Sequence, residues 1–152
     1  MRDCDYYEEF KKQKIIYPDI SERLSFAYDE NNYYADNTTY ILGTDSKYVL
    51  AVLNSALINF YYGFISSQLG SRAVRHFTIY IERIPVKQIP KNEQKSFIDL
   101  VDKILAITKG DDYLENPAKQ AKVYEYEKEI DELVYGLYGL SENEIKVIKG
   151  GA

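Results

Sequence analysis

The chain has no tryptophan, one cysteine, one histidine and four prolines in 152 residues. A lone Cys4 cannot close an intrachain disulfide, and one cysteine with one histidine cannot build a zinc site from those ligands. Such sparing use of cysteine fits a reducing, cytoplasmic setting. Cys4 also sits between Asp3 and Asp5, neighbours that disfavour a thiolate. His76 stands beside Arg75 with no acidic neighbour in sequence to orient its ring, so a Ser–His–Asp arrangement has little to start from. The eight glycines never fall into GxGxxG or GxxxxGK spacing. No phosphate-cradling turn of the dinucleotide or S-adenosylmethionine type can be drawn, and no cofactor or metal is expected.

Long apolar runs are almost as scarce. The stretch from Met1 to Lys14 is charged throughout and reads as no secretory leader. Only Tyr48–Ile65 approaches the roughly 18 residues that a spanning helix needs, with no charge between Lys47 and Arg72. Asn54, Ser55 and Asn59 lie in its middle, where hydrocarbon would leave their polar groups poorly paired. A helix buried by protein explains the same residues, so no membrane partner is expected.

What is abundant is tyrosine, at 16 copies. Its flat apolar body and polar tip suit half-buried sheet faces and wet interfaces, and strand filler is the commoner use. Apolar residues make up 45% and charged residues 28%, the composition of an ordinary globular domain with a real core. The net charge of −5 argues against a purely electrostatic nucleic-acid binder. Charge is unevenly placed, however. Residues 60–95 carry Arg72, Arg75, Arg83, Lys87, Lys91 and Lys95 against only Glu82 and Glu93, between acidic flanks. That middle is the candidate anion-facing surface.

Hydrophobic period predicts an α+β fold: a small, mostly antiparallel sheet with a buried helix, then a C-terminal helical hairpin. Lys14–Tyr17, Leu24–Tyr28 and Thr38–Leu42 read as strands of a meander, and Phe77–Ile81 as a further alternating strand. A core helix is expected over 46–64, a Gly70-centred loop over 66–76, and a Pro85/Pro90-framed extended segment without ladder pairing. Phe97, Leu100, Val101, Ile104 and Leu105 predict a helix over 91–109. Val123, Tyr126, Ile130, Leu133 and Leu137 predict a second over 117–138, started by Asn116-Pro117 and stopped by Gly139. Ser141 to Glu144 form a capping box for a last helix over 142–148. The expected division is a β-rich module, 1–90, and a helical part, 91–152.

Two segments carry candidate chemistry. In Gly70-Ser71-Arg72-Ala73-Val74-Arg75-His76, closely spaced arginines on a small-residue loop can grip phosphates or read guanine edges. A solvated basic loop is the commoner fate of two nearby arginines; the basic Arg83 and Lys87 that follow favour the DNA reading. In Asn31–Asn37, amides and tyrosines can bond base edges or phosphates, and a plain turn accommodates the same residues. Ser71, Arg72, Arg75, His76, Asn32, Tyr33 and Lys87 are therefore the candidate DNA-binding residues, and no catalytic residue is assigned. Pro18-Asp19 with Glu93 and Lys95 superficially matches a metal-dependent nuclease set. Its members are far apart in sequence, in a turn and at a helix start.

The runs Lys14–Ser21, Phe26–Asp29, Asn37–Tyr40, Tyr48–Ser55, Arg83–Val86 and Ile130–Ile145, in this order, resemble the TaqI-like C-terminal specificity domain. The resemblance extends from about Lys14 to Ile148. It implies a target-recognition module of restriction–modification adenine methyltransferases or fused restriction enzymes, whose loops enter a DNA groove. It implies double-stranded DNA and a catalytic domain, fused or separate, as partners. The Asn/Asp-Pro-Pro-Tyr motif of the catalytic domain does not occur here, so the chain is expected to be the specificity portion and not itself an enzyme. The acidic hairpin is expected to stay away from DNA. A protein-interaction module and a metal-dependent nuclease are the alternatives that these residues leave open.

Overall fold

The structure, a computed structural model, describes residues 7–69 and 73–150. It is α+β, with small antiparallel sheets and a C-terminal helical part. The chain forms two compact units, Met1–Ser46 with Tyr62–Ile84, and Lys47–Tyr61 with Pro85–Ala152.

In the first unit, β1 (Lys14–Pro18) is the central strand of a three-stranded antiparallel sheet. It pairs with β3 (Ala27–Asp29) on one side and β4 (Thr39–Leu42) on the other. The sheet is therefore not a meander: the first strand lies between the other two. Its inward residues Ile15 and Tyr17 are buried, with Leu24 and Phe26 from the approach to β3. Tyr17 stacks on Tyr40 with centroids 5.2 Å apart, the strand-filler use of tyrosine. The strand expected over Leu24–Tyr28 is shorter and later, because Leu24 and Phe26 fill the core from irregular backbone.

The second sheet departs from expectation. Short β2 (Ile20–Ser21), β5 (Ser67–Leu69) and β6 (Ala73–Arg75) form an antiparallel sheet in the order β2-β6-β5. The segment read as a loop is thus largely a hairpin; residues 70–72 lie outside the described residues. Phe77–Ile81 is not a strand either. Thr78–Ile81 is a single helical turn, α3, with Tyr80 and Glu82 amides closing back on Phe77 and Thr78 carbonyls. Four residues satisfy both periods, and local hydrogen bonding decides between them.

The helix expected over 46–64 is two helices, α1 (Lys47–Asn54) and α2 (Ala56–Ile65), bent by 64°. Ser55 makes the break. Its Oγ donates to the Val52 carbonyl at 2.7 Å and accepts from the Ile58 amide at 3.4 Å, so it caps α2. Asp131 supports the same end, accepting from the Ala56 amide at 2.7 Å. The Asn54 and Asn59 amides donate to the carbonyls of Leu50 and Ser55, which is how these polar groups are accommodated in so apolar a stretch. Among the described residues no single helix is long and apolar enough to cross a membrane.

In the second unit, α1 packs with α4 (Lys95–Thr108) and α5 (Pro117–Tyr138). Tyr48 meets Phe97 edge-on at 5.2 Å. The Asn116 side chain caps α5 by accepting from Lys119 at 3.2 Å, and Gly139 ends it at φ 69°, where glycine alone avoids a Cβ penalty. The Ser141–Glu144 box opens α6 (Glu142–Gly150) as expected. Residues 85–90 pair in no ladder and are strapped down by Tyr138, whose hydroxyl donates to the Pro85 carbonyl at 2.5 Å.

Candidate nucleic-acid interface

The first unit presents one loop whose construction is unusual. Asp29, at the end of β3, is buried and ion-paired with buried Lys14. The Lys14 ammonium also donates to the Phe10 carbonyl at 3.0 Å. Both Asp29 oxygens also serve the loop: Oδ1 accepts from the Asn31 amide at 2.8 Å and Oδ2, which pairs with Lys14, from the Tyr33 amide at 2.9 Å. Asn32 between them stands at φ 59°, a left-handed geometry that asparagine tolerates better than most residues. A buried charge pair thus sets the start of the 31–37 loop.

Beyond that anchor the loop is open to solvent. Tyr33 and Tyr34 are 63% and 62% exposed. Tyr34 keeps a tilted contact with Phe10, 5.1 Å between centroids. Asp36 Oδ1 closes the far end, accepting from the Thr38 amide at 2.9 Å and hydroxyl at 2.6 Å. These two bonds hold the Asp36 carboxyl below its ordinary range. A pocket of about 270 Å³ is lined by Ile16, Tyr33, Tyr34, Ala35, Asp36 and Thr39.

The other expected contact residues fare differently. Ser71 and Arg72 lie outside the described residues. Arg75 is on β6 and half-exposed, but its fork is already engaged: Nε and Nη2 donate to the two Asp19 oxygens at 3.3 Å each. Its guanidinium also lies 5.0 Å from the centroid of the Phe77 ring. Lys87 is exposed, and its ammonium donates to the Leu137 carbonyl at 2.8 Å, capping the negative end of α5.

His76, expected to face DNA, is instead fully buried. Its Nε2 lies 2.7 Å from Ser21 Oγ and its Nδ1 3.2 Å from the Tyr62 hydroxyl. Ser21 Oγ donates to the Arg23 carbonyl at 2.5 Å, so the proton on this contact belongs to Nε2, and Tyr62 donates to Nδ1. Burial raises the Tyr62 phenol to about 12, which keeps that donor protonated. Ser21 is therefore a hydrogen-bond acceptor for a neutral imidazole, not an activated nucleophile. Burial also lowers the His76 pKa, against a smaller opposing pull from Asp19.

The nuclease alternative gains no support from the side chains. Asp19 is occupied by Arg75 and Tyr40, and Lys95 by Asp99 at 2.5 Å. Among the described residues no three His, Cys, Asp or Glu gather as a metal site.

The first unit thus holds two small antiparallel sheets, with an anchored, tyrosine- and amide-rich loop joining β3 to β4. The family model of the TaqI-like C-terminal specificity domain matches residues 2–86, and the chain belongs to that family. Its members are specificity modules of restriction–modification systems. The match ends at Val86, so the Ile130–Ile145 run counted in the sequence resemblance falls outside it. No match was found among curated proteins.

Proposed function

We propose that this chain performs sequence-specific recognition of duplex DNA for the catalytic domain of a restriction–modification methyltransferase or restriction enzyme. The observation that supports it most is the 31–37 loop, rigidly rooted on buried Lys14 and Asp29 yet exposing Asn32, Tyr33 and Tyr34. Preorganised polar and aromatic side chains on a fixed root suit base-edge contact, because little ordering entropy remains to be lost on binding. By the same reading Ser71, Arg72 and, in competition with its Asp19 pairing, Arg75 supply phosphate or base contacts. The chemistry of methylation or cleavage lies with the catalytic partner, and the chain itself holds no cofactor.

The test is a duplex titration at low salt with the full chain and with Asn32→Ala/Tyr33→Ala. The wild type is expected to prefer particular sequences and to lose affinity linearly in log salt. The double variant should lose the preference. Binding by the wild type that is indifferent to sequence defeats the proposal.

A further inference from the structure

We propose that the pocket lined by Tyr33, Tyr34 and Asp36 reads the amino-bearing edge of a base, cytosine N4 or adenine N6, with the Asp36 carboxylate as acceptor. The inference rests on the DNA-reading function above and assigns one residue its specificity. Asp36 is the only charged side chain in the 31–37 loop. A carboxylate facing DNA is repelled by every phosphate, so it cannot serve as a backbone grip. The groove feature that suits it is an exocyclic amine, the donor that acidic side chains accept from in major-groove readout.

Geometry agrees. Both bonds from Thr38 go to Oδ1 of Asp36, so Thr38 does not engage Oδ2. The carboxyl is held in its ionised form by those same two bonds. The pocket, at about 270 Å³, falls below the roughly 300–1,000 Å³ that encloses a whole small ligand. It has room for one planar edge. Ile16 and Ala35 line it with apolar surface, and the exposed Tyr33 ring supplies a flat face for contact with a heterocycle.

The experiment is selection from a randomised duplex library at low salt with the full wild-type chain, Asp36→Asn and Asp36→Ala, each checked for an unchanged melting transition. Asp36→Asn keeps an oxygen for Thr38 but replaces Oδ2 with an amide donor. It should exchange a preferred cytosine or adenine for a keto-bearing guanine or thymine at one position, a change of about 10- to 100-fold there. Asp36→Ala should flatten the preference at the same position and leave the others alone. If the wild-type motif survives unchanged in both variants, the inference is overturned and the DNA-reading function stands. A uniform loss of affinity in Asp36→Ala without any change of motif also overturns it, leaving Asp36 as a turn residue. If the wild type enriches no motif, the DNA-reading function fails and this inference with it.

Discussion

Lys14 and Asp29 sit fifteen positions apart on neighbouring strands and form an ion pair whose side chains are 1% and 0% exposed. Two charges leave water here, and their attraction offsets that cost only because other bonds use the remaining donors and acceptors. Phe10, Asn31 and Tyr33 provide them. The pair is thus both a core element and the root of the proposed recognition loop.

Removing one partner is expected to be far worse than removing both. Lys14→Met strands a buried carboxylate and should cost about 3–5 kcal/mol in urea unfolding. Lys14→Met with Asp29→Leu should recover much of that stability, while releasing the Asn31 and Tyr33 amides to faster hydrogen exchange. A single-variant cost within the surface range of about 0.5 kcal/mol would show that the pair is solvated.

His76 supplies a pH dependence with a definite sign. Its folded pKa lies below the ordinary 6.5, so the folded state prefers the neutral ring more than the unfolded state does. Its contribution is present in full above about pH 6.5 and is lost as pH falls toward the depressed folded value. Protonating Nδ1 would set an N–H against the Tyr62 O–H, two donors facing each other. Unfolding free energy should therefore drop between pH 7.5 and pH 5.5, and His76→Gln should lack that part of the drop. An identical pH profile in wild type and variant would refute it.

How much of this was legible from residues depends on the range of the deciding contact. Strands β1 and β4, helices α4 and α5, the Asn116 cap, the Gly139 stop and the Ser141–Glu144 box rest on neighbours within a few positions, and all were readable. The break at Ser55 was not, because its support includes Asp131, 75 positions beyond Ala56. Burial of His76 depends on Ser21, 55 positions away, and a loop-like run of small residues gave no hint of it. The 31–37 segment was readable as a polar connection, but its root was not: Asp29 looks like any turn aspartate until Lys14 is placed beside it.

The α5 seam shifts in the same way. Ile130 and Val134 are buried, whereas Leu133 and Leu137, two of the residues that predicted this helix, are only half-buried. Ile130→Ala should cost about 2–5 kcal/mol, and Leu133→Ala distinctly less. Equal costs in thermal or urea unfolding would restore Leu133 to the centre of the seam.

Arg75 offers the sharpest electrostatic test, because its charge already has an answer in Asp19. The pair is bidentate at 3.3 Å and partly open to solvent, so a phosphate competes with a carboxylate for the same fork. Arg75→Ala alone is therefore expected to change the salt slope of DNA binding by much less than the unit that a free phosphate-gripping arginine contributes. Asp19→Asn keeps an oxygen for the Tyr40 hydroxyl but removes the competing charge. It should tighten binding to all sequences and steepen the salt slope by about one unit. Asp19→Asn combined with Arg75→Ala should abolish that gain, which assigns it to the arginine rather than to the protein's net charge. If the gain persists in the double variant, Arg75 takes no part in holding the backbone, and its role is confined to joining β6 to Asp19.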